Sequence, residues 1–131
     1  MKVIIAGSRK GITLSDVRYA MLAAPFDITE VVSGCAKGVD TFGEIVAREY
    51  DIPIKRFPAK WDDLEAKPCK IKINQFGEYN CLAGFNRNKE MADYGDALIA
   101  VWNGSSSGTR DMIKLMQDGR KRVYISTKGE D

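Results

Sequence analysis

Short apolar runs recur along the chain, and most are followed by a small-residue loop and then a segment of helical periodicity. Residues 2–6, 28–32, 54–57, 97–102 and 123–126 read as strands, the first and fourth apolar enough to be buried on both faces. Between them the apolar positions return at helical spacing. Thr13 stands three residues before Asp16, the capping-box arrangement of a helix start, and Val17, Met21 and Ala24 share the face that follows until Pro25 stops it. A second helix over about 39–50 places Val39, Phe42 and Val46 on one side and closes at Ile52-Pro53. A third covers 83–94, carries Arg87, Asn88 and Met91, and ends at Gly95-Asp96. A fourth, over 109–117, turns Met112, Ile113 and Met116 inward and ends at Asp118 with Gly119 as its cap. Strands alternating with helices of this length predict an α/β protein: a mostly parallel five-stranded sheet covered on both faces.

Residues 58–79 break the rhythm. Trp61, the acidic Asp62-Asp63-Leu64-Glu65, Pro68 and the basic Lys67, Lys70 and Lys72 predict a surface excursion with a short helical turn. Ile71, Ile73 and Phe76 suggest that part of it packs down, against another subunit of a homo-oligomer. The charged C-terminal tail is expected to fray.

Size and charge narrow the picture. The 131 residues suffice for one domain with a real core, and the formal charge of +2 does not call for nucleic acid. No apolar run nears the ~20 residues of a membrane span, and the N-terminal run is too short for a signal peptide. Cys35, Cys69 and Cys81 are odd in number and lack metal-ligand spacing, which suggests free thiols, a cytoplasmic setting and no metal site. Histidine is absent, which removes Ser-His and Cys-His nucleophiles and the commonest general base.

The candidate chemistry lies in three loops. Gly7-Ser8-Arg9, the run from Ser33 through Gly34, Lys37 and Gly38 to Asp40, and the run Asn103, Gly104, Ser105, Ser106, Ser107, Gly108, Thr109 each follow a strand and precede a helix. In a parallel sheet all such loops emerge at the carboxyl edge, where ligands of open α/β sheets bind. The first N–H groups of a helix have no partners and sit at its positive end, so small residues there admit an anion. Glycines that merely permit tight turns explain one such loop; three on one rim favour a ligand carrying phosphate. Neither the dinucleotide fingerprint nor the Walker lysine loop is present.

Taken together, Gly7-Ser8-Arg9, Ser33 to Asp40, Phe57-Pro58-Ala59-Lys60-Trp61, Ala83-Gly84-x-x-Arg87-Asn88-x-x-Met91, Asp96 to Ala100 and Gly108-Thr109 resemble, in order and spacing, the YspA-like (YpsA-related) branch of the SLOG superfamily. That superfamily also holds the LOG phosphoribohydrolases and the DprA DNA-processing proteins. The likeness runs from Lys2 to about Ser126 and implies a Rossmann-like three-layer fold with a pocket for nucleotides or their derivatives. Two departures stand out. Cys35 replaces the second glycine of the usual pair. Met112 occupies the position of the LOG glutamate that partners an arginine, here Arg87, and a thioether cannot take a proton. This counts against LOG-type N-glycosidic hydrolysis unless Asp40, Glu44 or Asp111 substitutes.

Individual residues keep two readings at this stage. Arg9 is a phosphate contact or a solvated loop arginine. Asp40 stabilises its helix start, or it binds a ribose hydroxyl or acts in catalysis. Arg87 pairs with phosphate or with an internal carboxylate, and Asn88, on another face, ties loops. Trp61 stacks on a base or anchors the excursion, and Trp102 is rim packing or, as the less favoured reading, a second stacking surface. Arg110, at the positive end of its helix, points to an anion nearby. The reading is a binding module for a nucleotide-derived small molecule, with binding favoured over turnover and no cofactor required. Nucleotide hydrolysis is the alternative, with Asp40 and Arg87 as candidate catalytic residues; DprA-like nucleic-acid binding is weaker.

Overall fold

The computed structural model describes residues 1–127. Strand β1 (Lys2–Gly7) leads through helix α1 (Leu14–Ala23) to β2 (Glu30–Ser33), and α2 (Val39–Glu49) leads on to β3 (Ile54–Arg56). A hairpin of β4 (Ile71–Asn74) and β5 (Gly77–Asn80) follows, then α3 (Ala83–Tyr94), β6 (Ala97–Trp102), α4 (Ser107–Asp118) and β7 (Arg122–Thr127). Five strands form one parallel sheet in the order β3-β2-β1-β6-β7. The strand periodicity of two sends Val3 and Ile5 of β1 to one face and Ile4 and Ala6 to the other. The first pair packs with Val17, Met21, Val39 and Val46 of α1 and α2; the second packs with Met91, Met112 and Met116 of α3 and α4. The result is the Rossmann-like three-layer sandwich, with one apolar layer on each face of the sheet.

Local signals explain the starts of α1 and α4. Thr13 accepts from the Asp16 N–H at 3.1 Å and its own N–H donates to the Asp16 carboxylate at 2.8 Å, the full capping box. Helix α4 begins two residues before the expected Thr109, because Ser106 takes the cap and accepts from the Thr109 N–H at 3.4 Å. At its other end Gly119 caps with φ −79, and the left-handed position falls one residue later on Arg120, φ 57.

The excursion is the main correction. It contains an antiparallel hairpin, preceded by isolated turns such as the one the Asp63 N–H closes on the Lys60 carbonyl at 3.1 Å, and no helix. Ile71, Ile73 and Phe76 do not pack down on the domain; they are 51%, 77% and 87% exposed. The backbone pairing sets Ile73 opposite Glu78 and Lys72 opposite Tyr79, so neither hairpin face is uniformly apolar. The charged tail beyond Thr127 lies outside the described residues. No helix among the described residues is long and apolar enough to cross a membrane.

Candidate functional site

The chain turns one way from β1 to reach β2 and the other way to reach β6, so the sheet's switch point lies between the carboxyl ends of β1 and β6. There the two strands approach closely. Gly7 pairs with Val101, and a Cβ on Gly7 would stand 1.9 Å from the Val101 carbonyl oxygen. Ser8, buried beyond it, joins three loops. Its N–H donates to Val101 O at 3.1 Å, its carbonyl accepts from the Val39 N–H at 3.3 Å, and its hydroxyl accepts from the Asn103 N–H at 3.2 Å. Gly38, at φ 80, lies against that junction, with room for a Cβ only 2.6 Å from the Ser8 carbonyl.

A cavity of about 260 Å3 opens over this junction. Gly7 and Arg9, Asp40, Trp61, Arg87 and Asn88, and Ser107, Gly108 and Thr109 all line it. The other residues expected at the site lie around it. Ser33 is buried, its hydroxyl donating to Glu44 at 2.6 Å and accepting from the Cys35 N–H at 3.1 Å. Gly34 is covered by Arg87 and Asp40, each with an atom 2.8 Å from where its Cβ would be. Lys37 is exposed and does not reach the cavity. Asn103 closes a turn by accepting from the Ser105 N–H and hydroxyl at 3.0 and 2.7 Å, and Gly104 accepts from Arg110 at 3.3 Å. Arg110 thus braces this loop and is not part of the cavity lining.

Sequence reasoning passed over Phe85, Gly84, Met91, Met112 and Cys81 as lining residues. The periodic spacing of positions 84, 88 and 91 was the available signal, since residues three and four apart share a helix face.

The polar groups divide into three sets. At the start of α4 the Ser107 and Gly108 N–H groups have no acceptor among the described residues, while Ser106 holds Thr109. Arg9 is exposed and carries no ion pair among the described residues. Arg87, half-buried, clamps the neighbouring backbone. Its Nη1 donates to the Gly34 carbonyl and, at 3.3 Å, to that of Phe57, and its Nε donates to Asn88 at 3.1 Å. Nη2 lies near Gly84, 3.9 Å from where a Cβ would stand. Burial pulls the Arg87 guanidinium below its ordinary value, partly offset by Asp40. Asn88 in turn donates to Gly108 O at 3.3 Å and Asp111 at 3.1 Å, tying α3 to the start of α4.

Asp40 is the one carboxylate among the lining residues. It accepts from the Ala36 N–H at 3.2 Å and is 7% exposed. Burial pushes it up from 3.8 to about 6, against the pull of that N–H and of Arg87 and Arg9; Glu44 adds to the rise. Glu44 lies elsewhere, bound by Ser33, Arg48 and Arg56. Asp111 is engaged by Asn88, and Met112 forms apolar floor. Cys35 adopts φ 64, performing with a side chain what glycine does freely, at about 1–2 kcal/mol for an L-residue.

No protein-family model and no curated protein matches the chain. A solved structure does. The chain is similar to the X-ray structure of DNA processing protein A (DprA) from Streptococcus pneumoniae, with a TM-score of 0.70 and 17% identity over 99% of this chain. It spans 52% of that chain, about half its length. At this identity the likeness establishes a shared fold.

Proposed function

We infer that this protein is a binding module for a nucleotide or nucleotide-derived phosphate, seated between the carboxyl ends of β1 and β6. The observation that carries this reading is the convergence on one cavity of unpartnered α4 N–H groups, the unpaired Arg9 and one buried carboxylate. Helix-start N–H groups and a guanidinium are the donors that phosphate oxygens accept. Asp40 is an acceptor for sugar hydroxyls. The motif order that resembles the YspA-like branch of the SLOG superfamily supports the same pocket class. Met112 in the floor favours binding over LOG-type hydrolysis, and a turnover reading rests on Asp40 as the proton-transferring group.

Native mass spectrometry with AMP, ADP-ribose, NAD and cyclic nucleotides tests this. An intact adduct is expected, stable over hours and weakened about tenfold or more in Arg9→Ala, the scale of one charge-assisted hydrogen bond. Arg9 is a loop residue with no ion pair, so its removal leaves the fold intact. Loss of a base or a ribose phosphate from the panel assigns an enzyme instead. Tight, salt-dependent retention of single-stranded DNA with no nucleotide adduct replaces the reading with a DprA-like one.

The exposed hairpin supports a second proposal, that copies of this chain associate through it. A lone two-stranded hairpin is marginal in water, and Ile73 and Phe76 stand in solvent at its tip. Sedimentation at micromolar concentration is expected to give a multiple of the 14.6 kDa chain mass, reverting to one copy in Phe76→Glu. A wild-type monomer at that concentration removes the proposal.

A further inference from the structure

We propose that Trp61 and Phe85 form a stacking site for a planar nitrogenous base, so that the ligand is a nucleoside phosphate and not a sugar phosphate alone. The proposal rests on the reading of the α4 end as an anion site and names what occupies the rest of the cavity.

The main chain at Trp61 is fixed from below. Its carbonyl accepts from the Asn80 N–H at 2.7 Å, and Asn80 is fully buried, its own carboxamide oxygen accepting from the Lys70 and Leu82 N–H groups. The indole reaches across to the first turn of α3, where the ring's outer carbon lies 3.4 Å from the place of a Gly84 Cβ. The helix has no side chain there, so a flat ring can lie close to it. Phe85 is the next residue. Both aromatics line the cavity yet remain 42% and 39% exposed, and they make no ring pair with each other among the described residues. Large, oriented aromatic surface left wet at a cavity mouth gains most from a flat partner that dries it.

The spacing along α3 fits the same occupant. Gly84 sits under Trp61, and Asn88, four residues on, donates to the Gly108 carbonyl beside the α4 N–H groups. Four helical residues rise about 6 Å. The cavity therefore presents aromatic surface beside Gly84 and the α4 N–H donors about one helical turn away along α3. A sugar phosphate satisfies the donor end and leaves the aromatic end wet. A nucleoside monophosphate satisfies both.

Calorimetric titration of AMP, GMP, CMP, UMP and ribose 5-phosphate reads the difference. Stacking tolerates any base, so at least one nucleotide is expected to bind roughly tenfold or more tighter than ribose 5-phosphate, the scale of one base–aromatic contact. In Trp61→Ala that margin collapses while ribose 5-phosphate affinity stays as in the wild type; Trp61→Phe restores part of it. Equal wild-type affinity for ribose 5-phosphate and all four nucleotides, unchanged in Trp61→Ala and Phe85→Ala, overturns the stacking site and leaves the anion site standing. A wild-type protein that binds none of the five overturns the anion site and the stacking site together.

Discussion

Gly7→Ala will remove a large share of the protein's stability. The added methyl would stand 1.9 Å from the Val101 carbonyl oxygen and 2.8 Å from a Val39 methyl. The first obstacle is main chain, held in register by the Gly7–Val101 pair and by the Ser8 N–H bond to that same oxygen. It cannot rotate away as a flexible side chain would. Relief requires prising β1 from β6 at the switch point, where Ser8 also anchors the loops before α2 and α4. A loss of about 4 kcal/mol or more is expected, large against the ~5–15 kcal/mol that holds a typical domain folded. Urea unfolding monitored by circular dichroism measures it. Gly108→Ala is the contrast. Nothing lies within 4 Å of its Cβ position, and it is already helical. Alanine there keeps or improves stability, by up to about 1 kcal/mol from helix propensity. Equal losses in the two variants would contradict this account.

Those two glycines also show what a sequence discloses. Both stand in strand–loop–helix passages, and both are legible as loop glycines. Which one faces another backbone and which faces an open cavity depends on strand order, and strand order is a long-range property. The main sheet was legible because most strands are short apolar runs and α1 has its own start signal in Thr13 with Asp16; α2 and α3 begin without a side-chain cap and were legible only from their apolar spacing. The motif order also pointed to a fold shared with DprA, which the structural likeness shows. The hairpin was missed although Lys70-Ile71-Lys72-Ile73 alternates with period two. Its connection, Gln75-Phe76, lacks the Asn-Gly or Asp-Gly of common hairpin turns. Its apolar residues do not pack on their own domain and are exposed on the single chain.

The rim residues show a further limit. Small polar residues in a loop can serve a ligand or the loop itself, and composition does not separate the two. Ser33 and Asn103 serve their loops, by hydrogen bonds to Glu44 and to Ser105. Gly108 and Arg9 line the cavity with donors that have no acceptor among the described residues. Arg87 does both, clamping the Gly34 and Phe57 carbonyls with one nitrogen while the residue also lines the cavity.

Asp40→Asn is expected to make the protein more stable at neutral pH and poorer at binding. The Asp40 carboxyl is buried beside the cavity and titrates at about 6 in the fold, against an ordinary 3.8. Between those values the folded protein holds a proton that the unfolded chain has released. Folding stability therefore falls as pH rises across that window, and above about pH 6 the full penalty of a buried charge is in place. At about 1.4 kcal/mol per unit the penalty is on the order of 3 kcal/mol. An asparagine of the same shape keeps an oxygen for the Ala36 N–H and carries no charge to desolvate. The two proteins should match near pH 4, with Asp40→Asn ahead by about 3 kcal/mol at pH 7 in denaturant unfolding. Parallel pH profiles would sink the assignment of this slope to Asp40. Binding should move the opposite way. A carboxylate hydrogen bond to a sugar hydroxyl contributes about 1.5–3 kcal/mol, so the variant should lose roughly tenfold or more in affinity for a ribose-bearing ligand. Asp40 is thus a destabilising carboxylate in a cavity lining, with Arg87 close enough to pull its pKa down against the effect of burial, and perturbed carboxylates of this kind are where binding tests are best aimed.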